Sequence, residues 1–522
     1  MKVYEGDIVS CDLENNVYKF LVEDEGKIVF VGDTLPDRFK GTFKEKLEGK
    51  ALLPAFADTH IHFSSYSLFA STLDVRNVTC HEDICELILQ YEKTHKEKII
   101  IGFGASAHNV KEKTLITRPK LDSVVANKPL MLVKYDGHAS IINSYLINEL
   151  PENIKKLRGF NYETGEMNQE AFFAVTNYIT NKLSPLTIVK NLLKGYDRLA
   201  EKGIGMMHTV EGVGFPRDFD VDMVRFFSRG QQNAFSTRIF FQTMDVKKAL
   251  KRKLSRIGGC FATALDGCFG SEDAALILPY DNNSANKGVL YYDDKKVTDF
   301  AMEANRAGLQ IELHAIGDRA FVQAVDALEA ALKDSPRKDH RHTIIHACLP
   351  TEEGLEKVAK YDIGIALQPA FLDWALEPLE YVEKLLGKRT YEISPLRKML
   401  DMGIHLSGGS DAPCTLPDPI EGIYNACNHY VREQSVSIPE ALRMFTLEAA
   451  RMIFDEKQRG SLEVGKIADM SILNKNPLSV RPKELRSLKV EKLILSGKDY
   501  EKNLTIGKAV LNGILGKNKI RK

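Results

Sequence analysis

The segment Ala51-Leu-Leu-Pro-Ala-Phe-Ala-Asp-Thr-His60-Ile-His62 constrains the fold more than any other part of the chain. An apolar run ends there in two histidines that are separated by one residue. Side chains in a strand alternate between its two faces, so His60 and His62 are expected on the same side. At the carboxyl end of a barrel strand, two such imidazoles can bind a transition metal such as zinc. The alternative is two polar residues in an ordinary turn between a strand and a loop.

The chain is large and electrically balanced. Its 522 residues suffice for one barrel with attachments or for two to four domains. The 71 basic and 71 acidic residues cancel, so we expect neither nucleic acid nor a membrane surface as a partner. The eight cysteines include no Cys-x-x-Cys pair, which is typical of free thiols in a reducing compartment. Because the N-terminus is charged and no apolar run approaches ~20 residues, the sequence predicts a soluble, cytoplasmic protein.

Strand and helix patterns alternate along most of the chain. Short strands punctuated by Gly and Asp predict a small antiparallel sheet before residue 50, and similar strands return after residue 468. They can pair with each other, so that both ends of the chain build one sheet. Setting aside a mixed segment at about 65–200, eight strands lie between them, which is the number that a (β/α)8 barrel requires. The first of these predicted strands ends at the histidine pair. The other seven cover 203–211, 238–242, 260–266, 309–314, 342–346, 363–369 and 403–411.

Most of the predicted barrel strands end in a residue that can bind a metal or move a proton. The carboxyl ends of parallel strands meet at one face of a barrel, so these side chains are expected to converge. A divalent metal held by imidazoles and a carboxylate, with one open position, brings the pKa of a bound water towards ~7. In chain order the candidates are His60, His62, Glu211, Asp266, His314, His346 and Asp411.

Longer motifs make the chain resemble the amidohydrolase superfamily, in its Amidohydro_3 or YtcJ-like branch. The matching segments run over nearly the whole chain in the expected order: 53–62, 135–138, 143–144, 265–271, 314–320, 345–347, 367–369, 409–413 and 460–469. The resemblance implies an α/β fold, namely a distorted TIM-type (β/α)8 barrel plus a small β-sandwich built from both termini. It also implies a metal centre that hydrolyses amide-like bonds. The metal-site residues that it implies are His60, His62, His314, His346 and Asp411.

This architecture predicts the domain boundaries. We expect the sandwich at 1–55 and 457–522, and the barrel at 56–456 with an insertion around 65–200. The pocket would take a small-molecule substrate, and a homo-oligomer is possible.

The number of metal ions is left open by one departure from the family pattern. Many relatives carry a carbamylated lysine that bridges two metals, four residues before the Asp-Gly of the fourth strand. Here that position is Ala262. Either another carboxylate supplies the bridge, with Glu211 as the candidate, or a single zinc is held by His60, His62, His314 and Asp411. Glu211 can equally cap a helix or bind a backbone turn.

Five further residues are candidates for substrate contact, each with a structural alternative. Asp266 precedes Gly and can simply form a turn. Asp318 and Arg319 either pair to fix a loop or hold a substrate carboxylate. His138 faces the pocket or supports a loop, and Trp374 forms an apolar wall or packs as a buried aromatic.

The predicted reaction is hydrolysis of a carbon–nitrogen bond in a small amide or cyclic amide. Asp411 would act as general base on the attacking water, and His346 would help to stabilise the oxyanion. A second hypothesis is deamination of an amino-substituted heterocycle, which needs the same activated water. A third is a non-catalytic binding or assembly protein on the same barrel.

Overall fold

The computed structural model describes residues 1–229 and 235–516, so the predicted C-terminal segment 457–522 is described as far as Gly516. The described strands fall into three sheets. In chain order they are β1 Lys2–Val9, β2 Val17–Asp24, β3 Lys27–Gly32, β4 Lys44–Pro54, β5 Phe56–Ile61, β6 Leu73–Asp74, β7 Ile100–Ala105, β8 Leu130–Lys134, β9 Ala139–Ile142, β10 Glu166–Asn168, β11 Ile204–Glu211, β12 Ser236–Phe241, β13 Arg256–Gly259, β14 Gln310–Ala315, β15 Thr343–His346, β16 Gly364–Leu367, β17 Leu406–Gly408, β18 Met470–Leu473, β19 Val490–Leu495 and β20 Lys498–Asp499.

Helices connect and cover these sheets. In chain order they are α1 Phe63–Phe69, α2 His81–Thr94, α3 Arg118–Asp122, α4 Ser144–Glu149, α5 Glu152–Lys155, α6 Gln169–Thr180, α7 Pro185–Glu201, α8 Phe219–Ser228, α9 Val246–Lys251, α10 Asp294–Arg306, α11 Asp318–Asp334, α12 Glu352–Lys360, α13 Leu379–Leu386, α14 Leu396–Asp401, α15 Pro419–Cys427, α16 Ile438–Met444, α17 Leu447–Met452 and α18 Ile506–Leu515. Across 1–229 and 235–516, no helix has the length and apolar character needed to cross a bilayer.

The central sheet has eight strands, β5 and β11 to β17, and all of its pairings are parallel. The first and last of these strands approach each other just beyond their ends. The amide of Asp411 donates to the carbonyl of His60 at 2.8 Å, and the amide of His62 donates to the carbonyl of Ala412 at 2.9 Å. These bonds close the sheet on itself, so the predicted α/β barrel is confirmed.

Amphipathic helices cover the barrel from outside, as α11 illustrates. Ala320, Ala324, Leu328 and Ala331 recur at helical spacing and are fully buried, so they form the face that packs on the barrel. Burial of this apolar stripe stabilises the helix more than its intrinsic propensity does.

Both ends of the chain contribute to one seven-stranded sheet, with the order β20-β19-β18-β4-β1-β2-β3. Strand β18 pairs antiparallel with β4, so that Met470 lies opposite Pro54 and Leu473 opposite Ala51. Only Ala55 separates β4 from β5, so the chain passes straight from the terminal sheet into the first barrel strand. The predicted sheet from both termini is therefore present.

Strands β6 to β10, between residues 73 and 168, form a separate five-stranded sheet inside the predicted insertion. Apolar side chains pack on both of its faces. Phe103 and Met131 belong to one apolar core, and Ile100 and Leu132 belong to the other. The loop between β8 and β9 carries Tyr135 and Asp136, which are buried.

The fourth barrel strand is not where the sequence pattern placed it. Strand β13 ends at Gly259, and Phe261–Thr263 form a single 3-10 turn rather than part of a strand at 260–266. The reason lies in two glycines with positive φ, Gly258 at 99° and Gly259 at 117°. A Cβ on Gly258 would lie 2.0 Å from the carbonyl oxygen of Glu312 in β14, so only glycine permits this strand pairing.

The terminal sheet provides a test of the shared core. Leu52 of β4 is fully buried in a cluster that also contains Ile472 and Ile494 from the C-terminal strands. Leu52→Ala should lower the free energy of unfolding by about 2–5 kcal/mol, the range for a buried leucine that leaves a cavity. Urea unfolding measures the change.

The matched control is Leu13→Ala, because Leu13 is 74% exposed and should shift stability by less than about 0.5 kcal/mol. Equal effects of the two substitutions would contradict a core built from both ends of the chain.

Candidate metal centre and its cavity

Six buried side chains from five barrel strands converge at the carboxyl end of the barrel. They are His60 and His62 at the end of β5, Cys260 after β13, His314 in β14, His346 at the end of β15 and Asp411 after β17. The His60 ring centroid lies 5.3 Å from that of His62 and 5.4 Å from that of His346. The His314 and His346 centroids are 4.6 Å apart. We call these six residues the cluster.

The ligand atoms of the cluster form three groups, each small enough to hold an ion. They are His60, His62 and Cys260; Cys260, His314 and His346; and His60, His346 and Asp411, and within each group the atoms lie within 4.8 Å of one another. The thiol of Cys260 is common to the first two groups. Cys260 was not among the predicted site residues, because the predicted strand 260–266 begins at this residue, whereas β13 ends just before it at Gly259.

The cluster contains two acids whose ionised forms the surrounding imidazoles stabilise. Burial raises the pKa of Asp411, but contacts with His60 and His62 reverse this and hold the pKa well below its ordinary value. Burial likewise raises the pKa of the Cys260 thiol, and the nearby charge of His314 outweighs it, so that the pKa falls far below its ordinary value. A carboxylate and a thiolate among imidazoles form a donor set that suits Zn²⁺.

Some buried polar atoms of the cluster are suited to bind a metal ion. Oδ1 of Asp411 lies 3.1 Å from Nε2 of His60 and 3.2 Å from Nε2 of His62. Nevertheless, both ring nitrogens of His60 and Oδ1 of Asp411 are buried without an aligned hydrogen bond. Buried polar atoms are normally satisfied, so these atoms are positioned to bind something other than one another.

Neighbouring carboxylates and an amide hold the cluster in place. Asp58 accepts from the amides of His60 at 3.2 Å and Ser410 at 3.0 Å, which ties β5 to the segment that carries Asp411. On the opposite side, Nδ1 of His346 is hydrogen-bonded to Oε1 of Gln368. Because an amide oxygen only accepts, Nδ1 carries the proton and Nε2 keeps its lone pair for a metal.

Two of the cluster residues have left-handed backbone that non-glycine residues rarely adopt. The φ angle is 68° at His346 and 56° at Asp411. Such a conformation costs of order 1–3 kcal/mol and persists where surrounding contacts enforce it. Here it turns the chain at the strand end and directs both side chains into the barrel mouth.

Asp266, a predicted substrate contact, lies behind the cluster rather than in the cavity wall. It accepts from the amides of Ala275 at 2.9 Å, Ile316 at 3.0 Å and Gly317 at 2.8 Å. Its Oδ1 is also 3.3 Å from Nδ1 of His314. A carboxylate in this position orients a metal-binding imidazole, which is a positioning role.

Glu211, the candidate bridging carboxylate, is buried away from the cluster. It accepts from the Thr209 hydroxyl at 2.6 Å and from the Ser64 amide at 3.2 Å. Its oxygens belong to none of the three ion-sized groups in the described part of the chain. Burial raises its pKa, and the hydrogen bonds with Thr209 and Ser64 act in the opposite direction.

Asp318 and Arg319 also lie outside the cavity wall. Asp318 accepts from the amide of Ile277 at 2.8 Å, and Arg319 forms an ion pair with Asp294 at 2.7 Å. The two side chains therefore do not form the predicted ion pair with each other, and each is held by another partner.

A cavity opens onto the cluster, and its wall includes every cluster residue except His60. His138 and Trp374, both predicted to face the pocket, are part of its wall. Most of the remaining wall is apolar and aromatic. Phe371 stacks on Trp374 with ring centroids 5.0 Å apart and faces His346 at 5.9 Å. Such a lining suits a small molecule with an apolar part.

The barrel and its cluster define a class of proteins, the metal-dependent hydrolases. Residues 46–499 match the model of the amidohydrolase family, Amidohydro_3, and the chain belongs to this family. Membership implies a divalent metal ion.

Relatives cover almost the whole chain. The putative amidohydrolase YtcJ of Bacillus subtilis is 25% identical, over 93% of this chain and 98% of its own. The N-substituted formamide deformylase of Arthrobacter pascens is 22% identical, over 95% and 97% of the two chains. Among solved structures, an uncharacterized metal-dependent hydrolase from Pyrococcus furiosus is 24% identical, covers 92% of this chain and 100% of its own, and has a TM-score of 0.73.

The contact between Asp266 and His314 generates a prediction. Asp266→Asn should leave the fold intact but weaken Zn²⁺ binding by about ten- to hundredfold, because the amide no longer orients His314 as a carboxylate does. Competition with a chromophoric chelator measures the affinity. Asp294→Asn, at an exposed position, is the control and should bind Zn²⁺ like the unaltered protein. Unchanged affinity in Asp266→Asn would argue against the positioning role.

Proposed function

We propose that the protein hydrolyses a carbon–nitrogen bond in a small amide or cyclic amide. The observation that carries the proposal is the convergence of four imidazoles, a thiol and a carboxylate, all but one imidazole lining the same largely apolar cavity. The name of one relative, N-substituted formamide deformylase, describes a reaction at an amide bond and supports the same class of substrate.

The grouping of the ligand atoms favours two ion positions that share Cys260. His60 and His62 would hold one ion with the thiolate, and His314 and His346 would hold the other. Cys260 would then replace the bridging lysine whose predicted position is Ala262. A divalent ion bound there supplies a Lewis acid that makes a water molecule acidic near neutral pH.

Asp411 is the group we assign to proton transfer. Its carboxylate lines the cavity beside His60 and His62, where it can accept a proton from the attacking water. The same proton can then pass to the nitrogen that leaves when the carbon–nitrogen bond breaks. The Asp58 contacts and the strained backbone at Asp411 fix the position of this carboxylate, so that it does not have to move during the reaction.

Asp411→Asn is the direct test of this assignment. The isosteric amide should preserve the fold while turnover falls by at least about a hundredfold, because general base catalysis contributes 10²–10⁴-fold. The assay follows amine release from a panel of N-formyl and N-acetyl amines. Asp401→Asn, on the surface of α14, is the control.

The same panel separates the rival functions. Release of ammonia from amino-substituted heterocycles, without amide cleavage, would favour a deaminase instead. No turnover and no bound metal would favour a non-catalytic protein. Full activity in Asp411→Asn would remove Asp411 from proton transfer.

Cys260→Ala tests the shared ligand. The purified protein should hold two divalent ions per chain, and the variant at most one, because both proposed positions use the same sulfur. Mass spectrometry of the metal content gives the stoichiometry. Cys268→Ala is a matched control, since Cys268 lines the cavity but belongs to none of the three groups. Two ions in Cys260→Ala would contradict a bridging thiolate.

A further inference from the structure

Besides Asp411, the described residues of the cavity wall include two acids, Asp136 and Glu377. The charge of Asp136 is matched within the protein. Its Oδ2 lies 2.8 Å from Nζ of Lys134 and accepts from the Ser271 hydroxyl at 2.7 Å. The second oxygen of Asp136 accepts from the amide of His138 at 3.1 Å. Asp136 therefore needs no partner from a ligand.

Glu377 differs, because it has no ion pair within the described part of the chain. Its Oε1 accepts from the Tyr135 hydroxyl at 3.0 Å, and a phenol supplies no positive charge. The carboxylate is also held tightly against backbone. A Cβ built on Gly270 would lie 2.2 Å from Oε1 of Glu377 and 2.3 Å from the Tyr135 oxygen.

The surroundings of Glu377 disfavour its ionised form unless a cation binds beside it. Burial raises the pKa of this carboxyl to about 7, and the charge of Asp136 acts in the same direction against the Tyr135 hydrogen bond and Lys134. Near neutral pH the group is therefore close to its point of ionisation. A ligand cation beside it would stabilise the ionised form.

An aromatic wall connects Glu377 with the cluster. Phe371 faces His346, Trp374 stacks on Phe371, and the Tyr135 ring meets Trp374 edge-on at 5.3 Å between centroids. Tyr135 then donates to Glu377. Two stacked rings thus lie between the cluster and the carboxylate, and their faces add cation–π attraction for a positive group.

We infer that Glu377 binds a protonated amine or amidinium group of the substrate, held about two aromatic rings away from the bond that is cleaved. This inference rests on the proposed function and narrows its substrate class to small amides that carry a cationic group. Glu377 acts on specificity and not on the chemical step, because it contacts the far end of the substrate.

Binding of two simple probes tests the inference without requiring turnover. Benzylammonium and benzyl alcohol have the same ring and nearly the same shape, and differ in charge. Calorimetry at about pH 8 on the purified protein with its metal should show benzylammonium binding at least about tenfold more tightly, the range of a charge-assisted contact. In Glu377→Gln this preference should fall below about threefold.

Two further variants complete the design. Gly270→Ala should also reduce the preference, since the added methyl group displaces the Glu377 carboxylate. Glu380→Gln, exposed at the start of α13, should keep the full preference.

Equal affinity for the two probes in the unaltered protein would overturn the inference. So would a preference that survives in both Glu377→Gln and Gly270→Ala, because the cation would then bind elsewhere. If the preference depends on Glu377 but the protein cleaves no amide, the proposed reaction is refuted and the cation-binding site is supported.

Discussion

The closure of the barrel between β5 and the segment after β17 is the constraint on which the site depends. Asp58 and Ser410 are 352 residues apart in the chain, yet the hydroxyl and the amide of Ser410 both donate to the Asp58 carboxylate. A backbone hydrogen bond from the amide of Asp411 to the carbonyl of His60 lies next to these contacts. Because His60 and Asp411 lie beside these contacts, the interactions that close the barrel also bring the two parts of the cluster together.

Much of the fold and part of the site could be predicted from the sequence. Period-two alternation puts His60 and His62 on one face, and the carboxyl ends of parallel strands meet, so His314, His346 and Asp411 were expected beside them. These inferences need only strand direction and order. The five histidine and aspartate positions named here accordingly lie together in the structure.

The remaining features depend on geometry that a local pattern does not contain. Cys260 was missed because two glycines that look like a turn belong to the strand, which shifts the strand end by several residues. Glu211 also follows a strand, but hydrogen bonds from Ser64 and Thr209 hold its carboxylate away from the cluster. Which side chain a strand end finally presents is decided by such neighbours.

The cavity brings together parts of the chain that have separate cores. The barrel supplies the cluster, the loop after β8 of the five-stranded sheet supplies Asp136 and His138, and the segment after β16 supplies Trp374 and Glu377. The residues proposed for catalysis and those proposed for substrate recognition therefore lie on different elements of the fold. Changes in the insertion can alter what binds without disturbing the strands that hold the ligands.

The pairing of β4 with β18 has a consequence for biosynthesis. The first barrel strand continues from β4, which lies between β1 and β18, so one of its two sheet partners comes from residues 470–473. During synthesis the segment with His60 and His62 is made long before β18, which covers the second edge of β4. A chain that ends before residue 470 would lack this partner beside the strand that leads directly into His60 and His62.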